Sequence, residues 1–175
     1  ADVLKFNHTV ASIEIPGNEI GDEGCKALAD GVKSNCAVTY IDLMYNEIGD
    51  EGCKALADAL KSNHTVAEIV LNCNNVGDEG AKAMADAVKI NRSIYRIHLH
   101  SNLPIGPDGL EALADAEEMM KTRKKVKDSD GDGDSDGDGE PATFFGNSVG
   151  VSVSGLAAKC ESDGESVKDS DDDSE

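Results

Sequence analysis

The chain has 175 residues, 39% of them hydrophobic and none of them Trp, and carries a formal net charge of -19, which leaves room for one domain plus tails. A field of that sign repels nucleic acid and anionic membrane surfaces and favours basic protein partners or cations. No run of 18 apolar residues is present and no secretory leader is visible, so neither a membrane span nor an export signal is read from the sequence.

A repeat runs through the first two thirds of the chain. Asn46 to Asp58 (NEIGDEGCKALAD) reproduces Asn18 to Asp30 letter for letter, and Asn74 to Asp86 reproduces it with conservative changes. Asn7, Asn35, Asn63 and Asn91 open four units of 28 residues. Each unit has an apolar-alternating run, an Asn, an acidic Gly-rich turn and a stretch with helical periodicity. Ala1 to Phe6 matches the end of a repeat helix and is read as the end of a truncated repeat, which predicts further repeats upstream.

In chain order, the alternating runs predict short strands near residues 13–15, 41–43, 69–71 and 97–99, with Ile41 and Leu43 inward and Tyr40, Asp42 and Met44 outward. Parallel strands need crossovers, and the second half of each unit supplies a helix. Asp22, Asp50, Asp78 and Asp108 sit at the first helical turn, and Leu28/Val32, Leu56/Leu60 and Met84/Val88 face inward. Asn18, Asn46, Asn74 and Asn102 are expected to point inward and bond the backbone of adjacent turns as a ladder. Asn7, Asn63 and Asn91 lie in glycosylation sequons, but they fall where a helix ends, and we read them as left-handed turn residues and the sequons as by-products of the repeat.

The unit core V/I-x-x-I-x-I/L-x-x-N (Val10, Ile13, Ile15, Asn18; Val38, Ile41, Leu43, Asn46; Val66, Ile69, Leu71, Asn74; Ile94, Ile97, Leu99, Asn102) resembles the leucine-rich repeat, in the long variant of ribonuclease inhibitor. The resemblance covers residues 1 to about 120. It implies an α/β solenoid: a horseshoe of about four units, residues 7–127, with a concave sheet.

The fourth unit is irregular: Asn102-Leu-Pro-Ile-Gly-Pro107 adds one residue and two prolines before its helix, with Pro107 suited to a first helical turn. That helix should run into the basic cluster Lys121 to Lys127 and close the solenoid there; the cluster is read as a solvated helix end over a localisation signal. Beyond it the composition changes. Residues 1–127 hold 20 acidic against 14 basic residues and 128–175 hold 15 against 2. Residues 128–140, alternating Asp with Gly or Ser, read as a disordered acidic linker; their EF-hand-like opening at Asp128, Asp130, Asp132 and Gly133 lacks the closing Glu, so no metal is assigned. Residues 141–160 are less polar, with Phe144, Phe145 and an alternating Val149 to Val153; a cap strand and a short docking motif both fit. Residues 161–175 form an acidic tail whose Ser162, Ser166 and Ser170 carry an acidic residue at +3, as do Ser129 and Ser135, a spacing suited to phosphorylation.

The five Cys residues show no CxxC spacing, and Cys25 and Cys53 share a column with Ala81, which marks them as small core thiols in a reducing, intracellular setting, cytoplasmic with the nucleus open. No cofactor site and no catalytic constellation is legible, so the protein is not read as an enzyme. What varies between units is the outward row of each strand. The candidate protein-binding face comprises Tyr40, Asp42, Met44, Glu68, Val70, Asn72, Arg96, His98 and His100, with Tyr40 and Met44 as apolar anchor, Asp42 and Glu68 beside it, and a basic edge at Arg96, His98 and His100. The main expectation is a monomeric binding or scaffold module for a protein partner. Long repeats followed by an acidic segment (residues 103–140) also resemble the Ran GTPase-activating protein, which implies a small GTPase as basic-surfaced partner; its catalytic Arg has no match here. The irregular late repeat is similar to tropomodulin, which implies actin-filament capping.

Overall fold

The computed structural model describes residues 2–129 and 150–152. Helix α1 (Asp2–Phe6) is followed by four strand-helix pairs: β1 (Ser12–Glu14) with α2 (Gly21–Val32), β2 (Tyr40–Asp42) with α3 (Asp50–Ser62), β3 (Glu68–Val70) with α4 (Asp78–Ile90), and β4 (Arg96–His98) with α5 (Pro107–Ser129). A last strand, β5 (Gly150–Ser152), completes a parallel sheet in the order β1-β2-β3-β4-β5. The register follows the repeat: Ile13, Ile41, Ile69 and Ile97 are partners across the first four strands. Sequential parallel pairing with a helix in every crossover is the solenoid read from the sequence.

The core runs between sheet and helices. Ile41, Leu43, Ile69, Leu71, Ile97 and Leu99 are fully buried from the sheet side, and Val32, Leu56, Leu60, Met84 and Val88 from the helix side. Cys25 and Cys53 occupy the expected helix column, each fully buried, with Sγ 3.3 Å from Gly52 O and 3.5 Å from Gly80 O. Burial pushes both thiols well above the ordinary range, Cys25 to about 12, so they stay protonated core groups.

Three features add to the sequence reading, correct it or decide between its alternatives. The Asp of each helix start reaches forward into the next unit: Asp22 Oδ1 accepts from the amides of Gly49 and Gly52, Asp50 Oδ1 from Gly77 and Gly80, and Asp78 Oδ1 from Gly106 and Gly109. The carboxylate therefore caps its neighbour's helix as well as sitting in the first turn of its own. This explains the second Gly of the turn, since a Cβ at Gly52, Gly80 or Gly109 would lie 2.7, 2.8 or 2.6 Å from that carboxylate oxygen.

The second is a correction. Asn63 and Asn91 end their helices in extended backbone (φ -80 and -73), not in the left-handed turn expected of them. They form a second ladder with Asn35. Asn63 Nδ2 donates to Val32 O and Asn35 O while its Oδ1 accepts from the amides of Thr65 and Val66, and Asn35 and Asn91 repeat the pattern. With Asn63 2% and Asn91 0% exposed, both sequon amides are occupied and inaccessible. The positive φ values fall instead on Tyr45, Cys73 and Ser101, in one column with Gly17, and on Glu19 and Glu47.

The third is β5. Val151 pairs with Ile97 and is 6% exposed, so the run read as either cap strand or docking motif supplies a strand on the outer edge of β4. Helix α5 also continues through Asp128 and Ser129, two residues into the stretch read as linker. The remaining linker and tail, with the calcium-like run and the tail serines apart from Ser129, lie outside the described residues. Among the described residues no helix is long and apolar enough to cross a membrane, and no group of three or more His, Cys, Asp or Glu could hold a metal ion.

Candidate protein-binding face

The ladder that fixes the strand ends comes first. Asn46 Oδ1 accepts from Asn18 N at 2.9 Å and Asn74 Oδ1 from the amides of Asn46 and Ile48, both at 3.0 Å. Asn102 Oδ1 accepts from Val76 N. The amide nitrogens donate backwards: Asn46 to Ile15 O, Asn74 to Leu43 O, Asn102 to Leu71 O. Each inner Asn thus bonds a carbonyl of the preceding unit and amides of that same unit. Asn18 is exposed and its side chain donates only within its own unit, to Ile15 O and Pro16 O.

On this frame the nine outward residues share the helix-free side of the sheet. Tyr40, Asp42, Met44, Asn72, Arg96, His98 and His100 are half-buried, and so is Glu68. Val70 is only 8% exposed, because its register neighbours Asp42 and His98 stand on either side of it. An apolar residue on the outward face is here covered by its polar neighbours.

Glu68 is the centre of the cluster. Its Oε1 lies 3.0 Å from His98 Nε2 and 3.4 Å from Arg96 Nη1, and its Oε2 accepts from the Tyr95 hydroxyl at 3.2 Å. Arg96 stands 5.5 Å from the Tyr95 ring centre, and the His98 and His100 rings are 6.5 Å apart. The expected basic edge is therefore not separate from the acidic flank: two of its three residues, Arg96 and His98, converge on the carboxylate expected to line the anchor. Side-chain exposure of 14% for Glu68 and 17% for Arg96 puts this pair in a partly desolvated setting, where mutual attraction exceeds that of a surface pair. Desolvation, helped by Glu68, raises the Tyr95 hydroxyl above its ordinary range. Desolvation with Asp42, Glu68 and Glu14 does the same for Tyr40, so both phenols are neutral donors at physiological pH.

Two loop contacts shape the rim. Asp42 Oδ1 accepts from Met44 N at 2.9 Å, and Asn72 Oδ1 from His100 N at 2.8 Å. Tyr45 follows Met44 with φ 57 and is 47% exposed. Neither Tyr45 nor Tyr95 was among the residues expected on the face. A signal for both was present, since Tyr95 stands in the column of Ala11, Thr39 and Ala67, and Tyr45 in that of Gly17, Cys73 and Ser101.

The repeat columns, parallel register and double Asn ladder define a leucine-rich-repeat solenoid. The leucine-rich repeat family model matches residues 6–29, 34–57 and 62–85, one match per helix-to-helix unit. Among solved structures the chain is similar to the actin-binding site 2 of leiomodin-1, with a TM-score of 0.61 and 18% identity over 74% of this chain and 87% of that one. It is also similar to the tropomodulin C-terminal domain of Caenorhabditis elegans, with a TM-score of 0.50 and 11% identity over 74% of this chain and 95% of that one. At these identities the likeness is one of fold. No curated protein matches the sequence.

Proposed function

We propose that this chain is a protein-interaction module rather than an enzyme, whose partner docks on the helix-free face of the sheet. The observation that carries the reading is the contrast within each strand. The inward columns repeat the same aliphatic residues from unit to unit, while the outward rows change completely, from Tyr40, Asp42 and Met44 to Glu68, Val70 and Asn72 to Arg96, His98 and His100. A rigid frame with a varied, partly desolvated surface of Tyr, Met and Arg has the composition of interface hot spots. The intracellular placement read from the thiols belongs to the same proposal.

An actin surface is the partner favoured among the named alternatives, because the leiomodin-1 domain of similar fold is an actin-binding site. A small GTPase of the Ran type, read from the acidic segment after the repeats, is the second. Co-sedimentation with actin filaments and pulldown with the GTPase, each run with the full chain, with Tyr40→Ala/Met44→Ala and with residues 153–175 deleted so that β5 stays in place, separates them. The double variant should weaken the true partner by at least about 2 kcal/mol, roughly 30-fold, with little change in thermal stability. Binding that survives the double variant but disappears with the deletion would refute the face as the site.

A further inference from the structure

The loops that lead from each helix into the next strand carry one column of chemistry that the binding face does not use: His8, Cys36, His64 and Arg92 occupy the same position of successive units. In this column Cys36 Sγ lies 3.4 Å from His8 Nδ1, and both residues are exposed. Among the described residues no other hydrogen-bond partner meets this thiol, and the column continues with the imidazole of His64 and the cation of Arg92. We infer that Cys36 is a thiol modification site for small disulfides, with His8 as the base that takes its proton.

The pairing is held from beneath by a buried amide. Asn35, 4% exposed, donates through Nδ2 to Leu4 O at 2.7 Å and to Asn7 O at 2.8 Å. Its Oδ1 accepts from the amides of Ala37 and Val38, both at 2.8 Å. One side chain thus ties the residue before His8 to the two residues after Cys36. Asn7 Oδ1 in turn accepts from the amides of Thr9 and Val10 on the far side of His8. The two reactive groups sit on adjacent, internally bonded loops, so their approach does not depend on two free side chains meeting by chance.

The chemistry balances without a metal or cofactor. As Sγ attacks one sulfur of a low-molecular-weight disulfide, His8 Nδ1 accepts the thiol proton, the Cys36 to sulfur bond forms and the disulfide S–S bond breaks. The departing thiolate leaves as a free thiol once it takes that proton. The molecule carries its own controls. Cys25 and Cys53 are fully buried, and Cys73 is half-buried in a left-handed loop.

The test is reaction of the full chain with excess glutathione disulfide at pH 7, each cysteine followed by peptide mass, for wild type, Cys36→Ser and His8→Gln. Cys36 should be modified first, about tenfold faster than Cys73 or Cys160, and His8→Gln should slow Cys36 about tenfold while leaving Cys160 unchanged. The acceleration should fade toward high pH, where a thiol ionises without help; an iodoacetamide pH profile of wild type reads this independently of any variant. An unchanged Cys36 rate in His8→Gln, or a Cys36 rate no greater than that of Cys160, overturns the assignment. Circular dichroism of the variants checks that the loops keep their fold.

Discussion

The first and the inner units have nearly the same sequence and different physics. Val10 is 38% exposed, whereas Val38 and Val66, at the same position, are fully buried. Ile13 is half-buried where Ile41, Ile69 and Ile97 are closed off. Among the described residues strand β1 has one neighbour, and each inner strand has two. The far end of the sheet is treated differently: β5 lies on the outer edge of β4, and Leu113, Ala116 and Met120 of α5 are buried with Val151. In a solenoid, then, a residue's worth is set by how many units flank it, not by its identity.

The sharpest way to break that comparison is to truncate one column at two places. Ile69→Ala empties a fully enclosed site and should destabilise by about 3 to 5 kcal/mol, while Ile13→Ala, already half in solvent, should lose about 1 to 2 kcal/mol. Denaturant unfolding of both variants measures the difference, and equal losses would show that the units are not distinguished by their neighbours.

A smaller effect separates the two ends of the Asn ladder. Asn74→Ala leaves the Asn46 and Ile48 amides and the Leu43 carbonyl without their partner, with a loss of about 1 to 3 kcal/mol. Asn18→Ala removes only bonds within an exposed turn and should stay under about 1 kcal/mol. A loss within about 0.3 kcal/mol for Asn74→Ala would mean that water replaces the ladder at no penalty.

The same logic applies to the carboxylate column at about half the size. Asp50→Ala uncaps α4 by removing the acceptor of the Gly77 and Gly80 amides, and should lose about 0.5 to 2 kcal/mol. Asp108 of α5 stands one place off the column, which Pro107 occupies, because Gly106 and Gly109 take the places of Gly77 and Gly80. Its side chain is 72% exposed and meets Lys82 at 3.3 Å, so Asp108→Ala should lie within about 0.5 kcal/mol of wild type. Thermal melts of the two variants suffice; a large loss at Asp108 would reveal a cap partner at that end.

Much of this was legible from residues alone, for a physical reason. Stacked units repeat their contacts, so a 28-residue period in Ile, Leu and Asn dictates strand register, core columns and the Asn46–Asn74–Asn102 ladder together. What the period hides is which neighbour a polar group serves. Asp22 looks like a first-turn residue of its own helix, and the chain gives no sign that its Oδ1 caps a helix 27 residues later. Asn63 looks like a helix stop, and only the packed neighbour shows that it bridges two units. On the candidate face the outward rows were readable by alternation, but the convergence of Tyr95, Arg96 and His98 on Glu68 was not, because it depends on side chains crossing between strands.

The smallest expected effect lies at Tyr45, and it sharpens the comparison at the rim. Gly17 and Tyr45 hold the same left-handed conformation, at φ 68 and 57, with their amides donating to Met44 O and Asn72 O of the following unit. The conformation is imposed by the junction and is natural only for the glycine. Tyr45→Gly therefore relieves about 1 kcal/mol of backbone strain and loses about 0.5 to 1 kcal/mol through the glycine's greater freedom in the unfolded chain. The two terms nearly cancel, and the melting temperature should move by no more than a few degrees. Because the ring is 47% exposed, its loss should register in partner binding instead. A stabilisation well above about 1 kcal/mol would mean that strain dominates. A comparable loss would mean that the ring packs on the rim and belongs to the frame rather than to the surface offered to a partner.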